Sequence, residues 1–226
     1  MDIIKLIIDF ILHIDVHLGE IMNTFGGWTY AILFFIIFIE TGLVVTPFLP
    51  GDSLLFAAGA LAKLTGALDI KLLYLFMVVA AVLGDTANYW IGHFVGPKVF
   101  KQESKLFKKE YLERTHAFYE KHGGKTIFLA RFIPIIRTFA PFVAGIGRMS
   151  YGHFISYNII GGFIWPGVCL FSGYLFATNA FVQEHFSLVA VAIILISVVP
   201  IFIEWIKARK DKKKASVKVE EVESGS

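Results

Sequence analysis

Residues 40–52 read ETGLVVTPFLPGD and place two carboxylates and two prolines inside an otherwise apolar run. An ionised carboxylate at the centre of a bilayer costs about 2.5–3.5 kcal/mol on insertion scales. Pro47 and Pro50 each remove a backbone donor where lipid offers no replacement hydrogen bond. Such a segment is stable in a membrane only where protein shields it or where it lines a polar cavity. We therefore interpret the stretch from Glu40 to Asp52 as the edge of a site.

The composition indicates a polytopic α-helical membrane protein. The chain has 226 residues, of which 56% are hydrophobic and 17% are charged, and its mean hydropathy is +0.68. A soluble domain would carry about 25% charged residues. The net charge of +3 is concentrated in two clusters, whereas nucleic-acid-binding proteins spread their basic residues over a solvated face, so nucleic acid is not an expected partner. The single cysteine, Cys169, lies in an apolar run, which excludes an internal disulfide and indicates a packing residue.

We predict an all-α membrane fold with about four transmembrane helices and two oppositely oriented re-entrant hairpins in an inverted repeat. Residues 1–206 form a single membrane domain, and residues 207–226 form a basic, disordered cytoplasmic tail. The domain consists of an interfacial amphipathic helix at 2–22, a first repeat at 28–96 with a hairpin at 44–65, a cytoplasmic amphipathic connector at 98–125, and a second repeat at 126–206 with a hairpin at 126–147. The predicted spans are Trp28 to Leu43, 69–96, Tyr151 to about Thr178, and Phe186 to Trp205.

The prediction of two hairpins rests on the length of the apolar segments and on the distribution of basic residues. Neither apolar piece of 44–65 reaches the roughly 20 residues that a span requires. The connector carries eight Lys and Arg against four Glu, and Lys207 to Lys214 carries six basic residues against one acid, so the positive-inside rule places both in the cytoplasm. Two full spans lie between these regions, so 126–147 must enter and leave on the same face. The alternative for each hairpin is a kinked full span.

Residues 126–147, TIFLARFIPIIRTFAPFVAGIG, repeat the pattern of residues 40–52 with the opposite charge, because Arg131 and Arg137 lie in an apolar run that Pro134 and Pro141 break. In transporters built from inverted repeats, the substrate site lies near the midplane, where such broken elements meet. We therefore expect both arginines to share one polar pocket with Glu40 and Asp52. The predicted hairpin-shaping residues are Pro47, Pro50, Gly51, Pro134 and Pro141.

The span at 69–96 contains GDTANYWIG, in which Asp85, Asn88, Tyr89 and Gly92 share one helical face that we expect to point into the bundle. Asp85 is a weaker third candidate for proton coupling, and the alternative is a carboxylate satisfied by helix neighbours such as Tyr89. The histidines show no metal-binding spacing, and neither a metal nor a cofactor is expected. Three further aromatic residues are interpreted as interfacial or packing residues: Tyr151, Trp165 and Trp205.

The four embedded charges, Glu40, Asp52, Arg131 and Arg137, suggest which chemical group the site binds. Guanidinium groups bind phosphate bidentately, so Arg131 and Arg137 are candidate substrate-binding residues for an anionic lipid head group. Burial disfavours an ionised carboxylate, whereas a neighbouring arginine favours it. A phosphate that captures the arginines would leave Glu40 or Asp52 to take up a proton, so these acids are candidate proton-coupling residues. The alternative is a structural quartet of ion pairs that only allows the broken helices to insert.

The chain resembles the DedA family of bacterial inner-membrane proteins, the bacterial branch of the SNARE-associated Golgi or VTT domain. Three segments carry the resemblance: ETGLVVTPFLPGDSLLFAAGALA, GDTANYWIG and FYEKHGGKTIFLARFIPIIRTFAPFVAGIGRMSYGHF. The resemblance extends from the first residues to about Trp205. It implies a location in the inner membrane and a role in returning undecaprenyl phosphate from the outer to the cytoplasmic leaflet, with links to membrane potential and proton-dependent tolerance. It also implies that Glu40 and Asp52 match the family's membrane-embedded acids, and that Arg131 and Arg137 match its essential arginines.

The predicted function is therefore a transporter that flips undecaprenyl phosphate or a related anionic lipid, with proton coupling as a hypothesis and both termini in the cytoplasm. Expected partners are a membrane lipid (a polyprenyl phosphate or a phospholipid), protons and a second copy in a homo-oligomer. The alternative is a proton-coupled small-ion or drug antiporter that uses the same charges. An enzyme such as a lipid phosphatase is not predicted, because no nucleophile paired with a base stands out. A purely structural partner would leave the embedded charges unexplained.

Overall fold

A computed structural model describes residues 14–43, 51–99, 123–186, 188–189 and 191–193. Within these ranges the chain is helical and contains no strand. The helices are α1 Ile14–Phe25, α2 Thr29–Gly42, α3 Gly51–Thr65, α4 Ile70–Val99, α5 Lys125–Ala130, α6 Pro134–Ile146, α7 Tyr151–Phe176 and α8 Ala180–Glu184. Several predicted regions lie outside the described residues. They are the tail, most of the connector, residues 44–50 of the first hairpin and most of the fourth predicted span.

Three stretches of the described chain are long and apolar enough to cross a membrane, namely Val16–Gly42, Ile70–Val95 and Tyr151–Phe176. The second and third agree with the spans predicted at 69–96 and at Tyr151 to about Thr178. The prediction of an all-helical membrane fold is thus confirmed. The re-entrant hairpins and the total of about four spans stay predictions, because helix bounds alone do not place a segment in the bilayer.

The first apolar helical stretch begins earlier than the span predicted from Trp28. Only a 3₁₀ turn at Gly26–Trp28 separates α1 from α2, and Gly26 has a φ of +52°, a conformation that favours glycine. Leu18 and Met22 of α1 are buried in the core. The predicted interfacial helix therefore packs one face against the bundle over its described part, and its position at the interface stays a prediction.

The short helices of the two predicted hairpins pack on long helices from the opposite half of the chain. Helix α3 packs along α7, whereas α6 packs along α4, which also contacts α2. The core around α3 and α4 includes the buried side chains of Leu55, Met77 and Leu170. Each half therefore contributes one helix to the packing of the other, and this exchange brings the charged residues of both halves together.

Glycines allow the backbones to meet at the crossing of α3 with α7. A Cβ atom at Gly59 would overlap the carbonyl of Leu170, and a Cβ atom at Gly173 would overlap the carbonyl of Phe56. Small residues permit this approach in membrane helix pairs. On both helices the glycine follows the contacted carbonyl by three residues.

The crossing of α4 with α6 has the same construction. A Cβ atom at Gly92 would overlap the carbonyl of Phe142, and one at Gly145 would overlap the carbonyl of Tyr89. The offset of three residues between carbonyl and glycine recurs on both helices. The two crossings are therefore built to one pattern, and each joins a helix of the first half of the chain to a helix of the second.

Replacing Gly59 with alanine is expected to destabilise the fold by about 1–3 kcal/mol, the usual cost of overpacking, because the new methyl group meets backbone atoms of α7. Thermal unfolding in detergent measures the effect. Gly19→Ala is the matched control: it lies in α1, nothing lies within 4 Å of its added Cβ, and alanine is the better helix former. Equal melting temperatures for Gly59→Ala and wild type would contradict the close crossing.

Candidate functional site

Arg137 lies at the centre of a buried cluster of opposite charges. It belongs to the first turn of α6 and forms ion pairs with Glu40, near the end of α2, and with Asp52, in the first turn of α3. Arg137 Nη1 donates to Asp52 Oδ1 at 2.7 Å. Arg137 and Glu40 are only 6% and 1% exposed, and the side chain of Asp52 is 15% exposed. Two carboxylates from the first half of the chain therefore share one guanidinium group from the second.

Gly51 provides the space for Glu40 in this cluster. Its backbone N–H donates to Glu40 Oε1 at 3.3 Å, and a Cβ atom at this position would overlap the carboxylate. The start of α3 also carries the partial positive charge of a helix N-terminus, which favours the carboxylates near it. Gly51 thus contacts the Glu40 carboxylate directly. Its role in shaping the hairpin stays a prediction.

Trp165 completes what we call the Arg137 cluster, which consists of Glu40, Asp52, Arg137 and Trp165. Its indole Nε1 donates to Asp52 Oδ1 at 2.7 Å. The Arg137 guanidinium carbon lies over the indole ring at 4.8 Å from its centroid, a cation–π contact. The residue is 3% exposed. The interpretation of Trp165 as an interfacial or packing aromatic therefore missed two polar contacts.

A second buried cluster, the Arg131 cluster, consists of Asp85, Arg131 and Asn158. Arg131 follows α5 and forms an ion pair with Asp85 of α4. Its Nη2 also donates to Asn158 Oδ1 of α7 at 2.5 Å, and Asn158 Nδ2 donates to the carbonyl of Val82 at 3.0 Å. A Cβ atom at Gly161 would lie 3.2 Å from Arg131 Cδ and Nε, so glycine leaves room for this side chain beside α7.

Asn88 connects the elements that carry the two clusters. It lies three residues after Asp85 on α4, and its Nδ2 donates to the carbonyl of Thr41 at 3.1 Å and to that of Thr138 at 2.7 Å. These carbonyls directly follow Glu40 and Arg137 in the chain. One amide therefore ties α2 and α6 to α4, about one helical turn from the Arg131 cluster.

Four buried polar atoms of this region have no hydrogen-bond partner among the described residues: Glu40 Oε2, Asn88 Oδ1, Arg131 Nη1 and Arg137 Nε. Buried polar groups are usually hydrogen-bonded to protein or to ordered water. Two unmatched donors and two unmatched acceptors in one region therefore indicate hydrogen-bonding capacity for a further group.

The structure brings together only part of the predicted quartet. Arg137 lies with Glu40 and Asp52 as expected, but Arg131 pairs with Asp85 instead. The expectation of one pocket for all four charges is therefore corrected, because Asp85 of α4 and Asn158 of α7 are the partners of Arg131. Tyr89 is not the neighbour that satisfies Asp85, since its hydroxyl donates to the carbonyl of Met149 at 2.5 Å; the choice between a coupling and a structural role for Asp85 stays a prediction.

The predicted inward face of α4 is confirmed, because Asp85, Asn88, Tyr89 and Gly92 are all buried. Asn158 was missed, although it is the only side-chain amide in the apolar run of α7 and this isolation was a usable signal. No comparable feature of the sequence indicated the hydrogen bonds that Asn88 and Trp165 donate.

Two predicted hairpin-shaping prolines lie within the described residues. Pro134 begins α6, where its missing N–H costs nothing, but Pro141 lies inside α6 without ending it. The helix therefore continues through Pro141, and the hairpin-shaping role of both prolines stays a prediction. Pro141 has no N–H to donate to the Arg137 carbonyl, four residues earlier, and its ring crowds that carbonyl. Pro47 and Pro50 lie outside the described residues.

Comparison with known proteins identifies the family. Residues 49–175 match the VTT domain, and 218 residues are 55% identical to Protein DedA of Escherichia coli K12, covering 96% of this chain and 100% of the relative. The chain belongs to the DedA family. The VTT match includes both arginines, Asp52, Asp85 and Trp165, but begins after Glu40.

More distant DedA relatives include an uncharacterized membrane protein of Mycobacterium leprae, 45% identical over 74% of this chain and 75% of its own length. Inner membrane protein YqjA of Escherichia coli K12 is 32% identical over 78% of this chain and 80% of its own length. No solved structure matches the chain. Their names and the apolar helices agree in assigning this DedA-family chain to the membrane proteins.

Proposed function

We propose that the protein moves undecaprenyl phosphate, or a related anionic lipid, from the outer to the cytoplasmic leaflet of the bacterial inner membrane. The observation that carries the proposal is the Arg137 cluster: a buried guanidinium group, shared by two carboxylates, where elements from both halves of a membrane protein meet. A lipid phosphate offers the same bidentate geometry as a carboxylate. It can therefore exchange with Glu40 or Asp52 for Arg137.

A purely structural role explains this cluster less well. Replacing a buried ion pair by packed apolar side chains is often neutral or stabilising, so stability alone gives no reason to retain these charges. Arg137 Nε also has no partner among the described residues, which leaves one donor for an incoming group. Arg131 offers Nη1 in the same way, and we propose that it binds the phosphate in a second step.

Proton coupling follows from the exchange. A phosphate that takes Arg137 removes the positive charge that favours ionised Glu40 and Asp52, so one of them takes up a proton. Asp85 has the same relation to Arg131 in the second cluster. Phosphate binding and protonation are thereby linked, and a proton gradient biases the direction of lipid movement.

The matched glycine crossings support an inverted repeat with two re-entrant hairpins. The pairing of α3 with α7 and that of α4 with α6 share one spacing of carbonyl and glycine, as equivalent positions of two repeats would. In such transporters the site lies where the broken elements meet, and alternating access moves one repeat against the other. The cytoplasmic position of both termini and assembly with a second copy remain part of this proposal.

A proton-coupled antiporter for a small cation or drug is the second candidate. Glu40 and Asp52 share one guanidinium group, and Glu40 Oε2 has no partner among the described residues, so the cluster offers an acceptor to a cation. Purified protein in liposomes separates the two functions. Proton movement stimulated by a polyprenyl phosphate supports the lipid transporter, whereas stimulation by a monovalent cation alone supports the antiporter.

Replacing Glu40 with glutamine is expected to slow lipid movement at least about tenfold, equivalent to about 1.4 kcal/mol on the barrier, and to abolish its response to a pH gradient, because the amide takes up no proton. The assay follows the access of a membrane-impermeant quencher to a fluorescent polyprenyl phosphate in vesicles. Glu20→Gln is the matched control, since the Glu20 side chain on α1 is 71% exposed. Wild-type rates for Glu40→Gln, or a wild type indifferent to the gradient, would rule out coupling through Glu40.

A further inference from the structure

We propose that Trp165 is the positioning residue of the Arg137 cluster, which holds Asp52 through its indole N–H while an anionic phosphate takes the guanidinium group from that carboxylate. This inference rests on the proposed binding of a lipid phosphate at Arg137. It adds a residue from the second half of the chain that carries no charge.

The geometry places Trp165 against both partners of the exchange. Its Nε1 and Arg137 Nη1 donate to the same oxygen, Asp52 Oδ1, each at 2.7 Å. The guanidinium group lies over the ring face at the same time. The indole therefore directs Arg137 and Asp52 towards each other, and its edge and its face each contact one of them.

The consequence appears when Arg137 changes partners. A buried carboxylate that loses its cation becomes costly unless another donor remains. The indole N–H is such a donor, and it carries no charge that would compete with the phosphate. The ring face also keeps the guanidinium plane oriented while its N–H groups change partners. Trp165 thus lowers the cost of opening the ion pair and restores it after the lipid leaves.

Packing alone would explain burial at this position, because Trp165 is also part of the core cluster around α3 and α4. Packing does not require an indole N–H, however, and phenylalanine keeps a buried ring in the same place. The contrast between tryptophan and phenylalanine therefore separates the two roles.

The first experiment measures the affinity of the full-length protein in neutral detergent for dodecyl phosphate. Trp165→Phe is expected to weaken binding on the order of tenfold, the effect of one charge-assisted hydrogen bond. Trp90→Phe is the matched control, because Trp90 is exposed on α4 and contacts other aromatic residues, and its affinity should equal that of wild type. Unchanged affinity in Trp165→Phe would overturn the proposal.

The second experiment reads the indole directly in a full-length protein whose other tryptophans, Trp28, Trp90 and Trp205, are replaced by phenylalanine. The ultraviolet resonance Raman band of the N–H should report a hydrogen bond with and without dodecyl phosphate, and should report its loss in Asp52→Leu. The tryptophan emission should shift when the phosphate displaces the guanidinium group, and should not shift in Arg137→Gln. A band that ignores Asp52→Leu, or that is lost when the phosphate binds, would overturn the positioning role.

Failure of the proposed function gives a different result. If dodecyl phosphate binds neither wild type nor any variant, lipid-phosphate exchange at Arg137 is wrong. The Raman band in Asp52→Leu then still decides whether Trp165 holds Asp52. If the phosphate binds but the emission of Trp165 stays constant, the ligand does not displace Arg137, and the exchange proposed for this residue is wrong.

Discussion

Arg137→Met is expected to destabilise the protein by about 3–5 kcal/mol and to abolish lipid movement, the largest effect we expect from a single substitution. The change leaves Glu40 and Asp52 close together without their shared cation, and breaking a buried pair from one side carries this cost. Unfolding in mixed micelles with increasing denaturing detergent measures the stability. Arg148→Met is the matched control, because Arg148 is exposed just beyond α6, and its change should stay within about 0.5 kcal/mol.

A triple variant separates stability from function. Adding Glu40→Gln and Asp52→Asn to Arg137→Met removes all three charges, so much of the lost stability should return, because no buried charge is then unpaired. Lipid movement should remain absent. Recovery of both stability and transport would show that the cluster is only structural.

Arg131→Met is expected to have the second largest effect, about 3–5 kcal/mol of stability, since it leaves Asp85 buried and unpaired. Combining it with Asp85→Leu should recover most of this loss, because the pair is then replaced by apolar side chains. The same micelle unfolding experiment gives the interaction energy as a double-mutant cycle.

The cycle also tests the separation of the two clusters. Arg131→Met combined with Glu40→Gln should show nearly additive losses, because these residues contact different partners. Strong non-additivity there, with additivity between Arg131 and Asp85, would contradict the ion pair described for these two residues.

The sequence allowed the membrane class, two of the long helices and the charged residues of the Arg137 cluster to be predicted. Prolines and charges in apolar runs are costly in lipid, so their positions are informative without a structure. The partner of Arg131 was not predictable in this way. It depends on how α4 packs along α6, where glycines allow backbone contact between segments distant in the chain.

The role of Trp165 shows a second limit. A tryptophan in an apolar run is compatible with packing, with the membrane interface and with hydrogen bonding, and only its neighbours in space decide among them. The start of the first apolar stretch was missed for a related reason. A Gly-Gly pair indicates a break in a helix, but here it produces a single 3₁₀ turn between two helices.

The exchange of short helices between the halves has an evolutionary consequence. Helix α3 packs on α7, and α6 packs on α4. Each half of the chain therefore provides the surface on which a short helix of the other half packs. The two acids of the Arg137 cluster likewise belong to the first half of the chain, and its arginine belongs to the second. If the chain arose by gene duplication, its two copies could diverge only in step, because neither would retain a complete binding surface by itself.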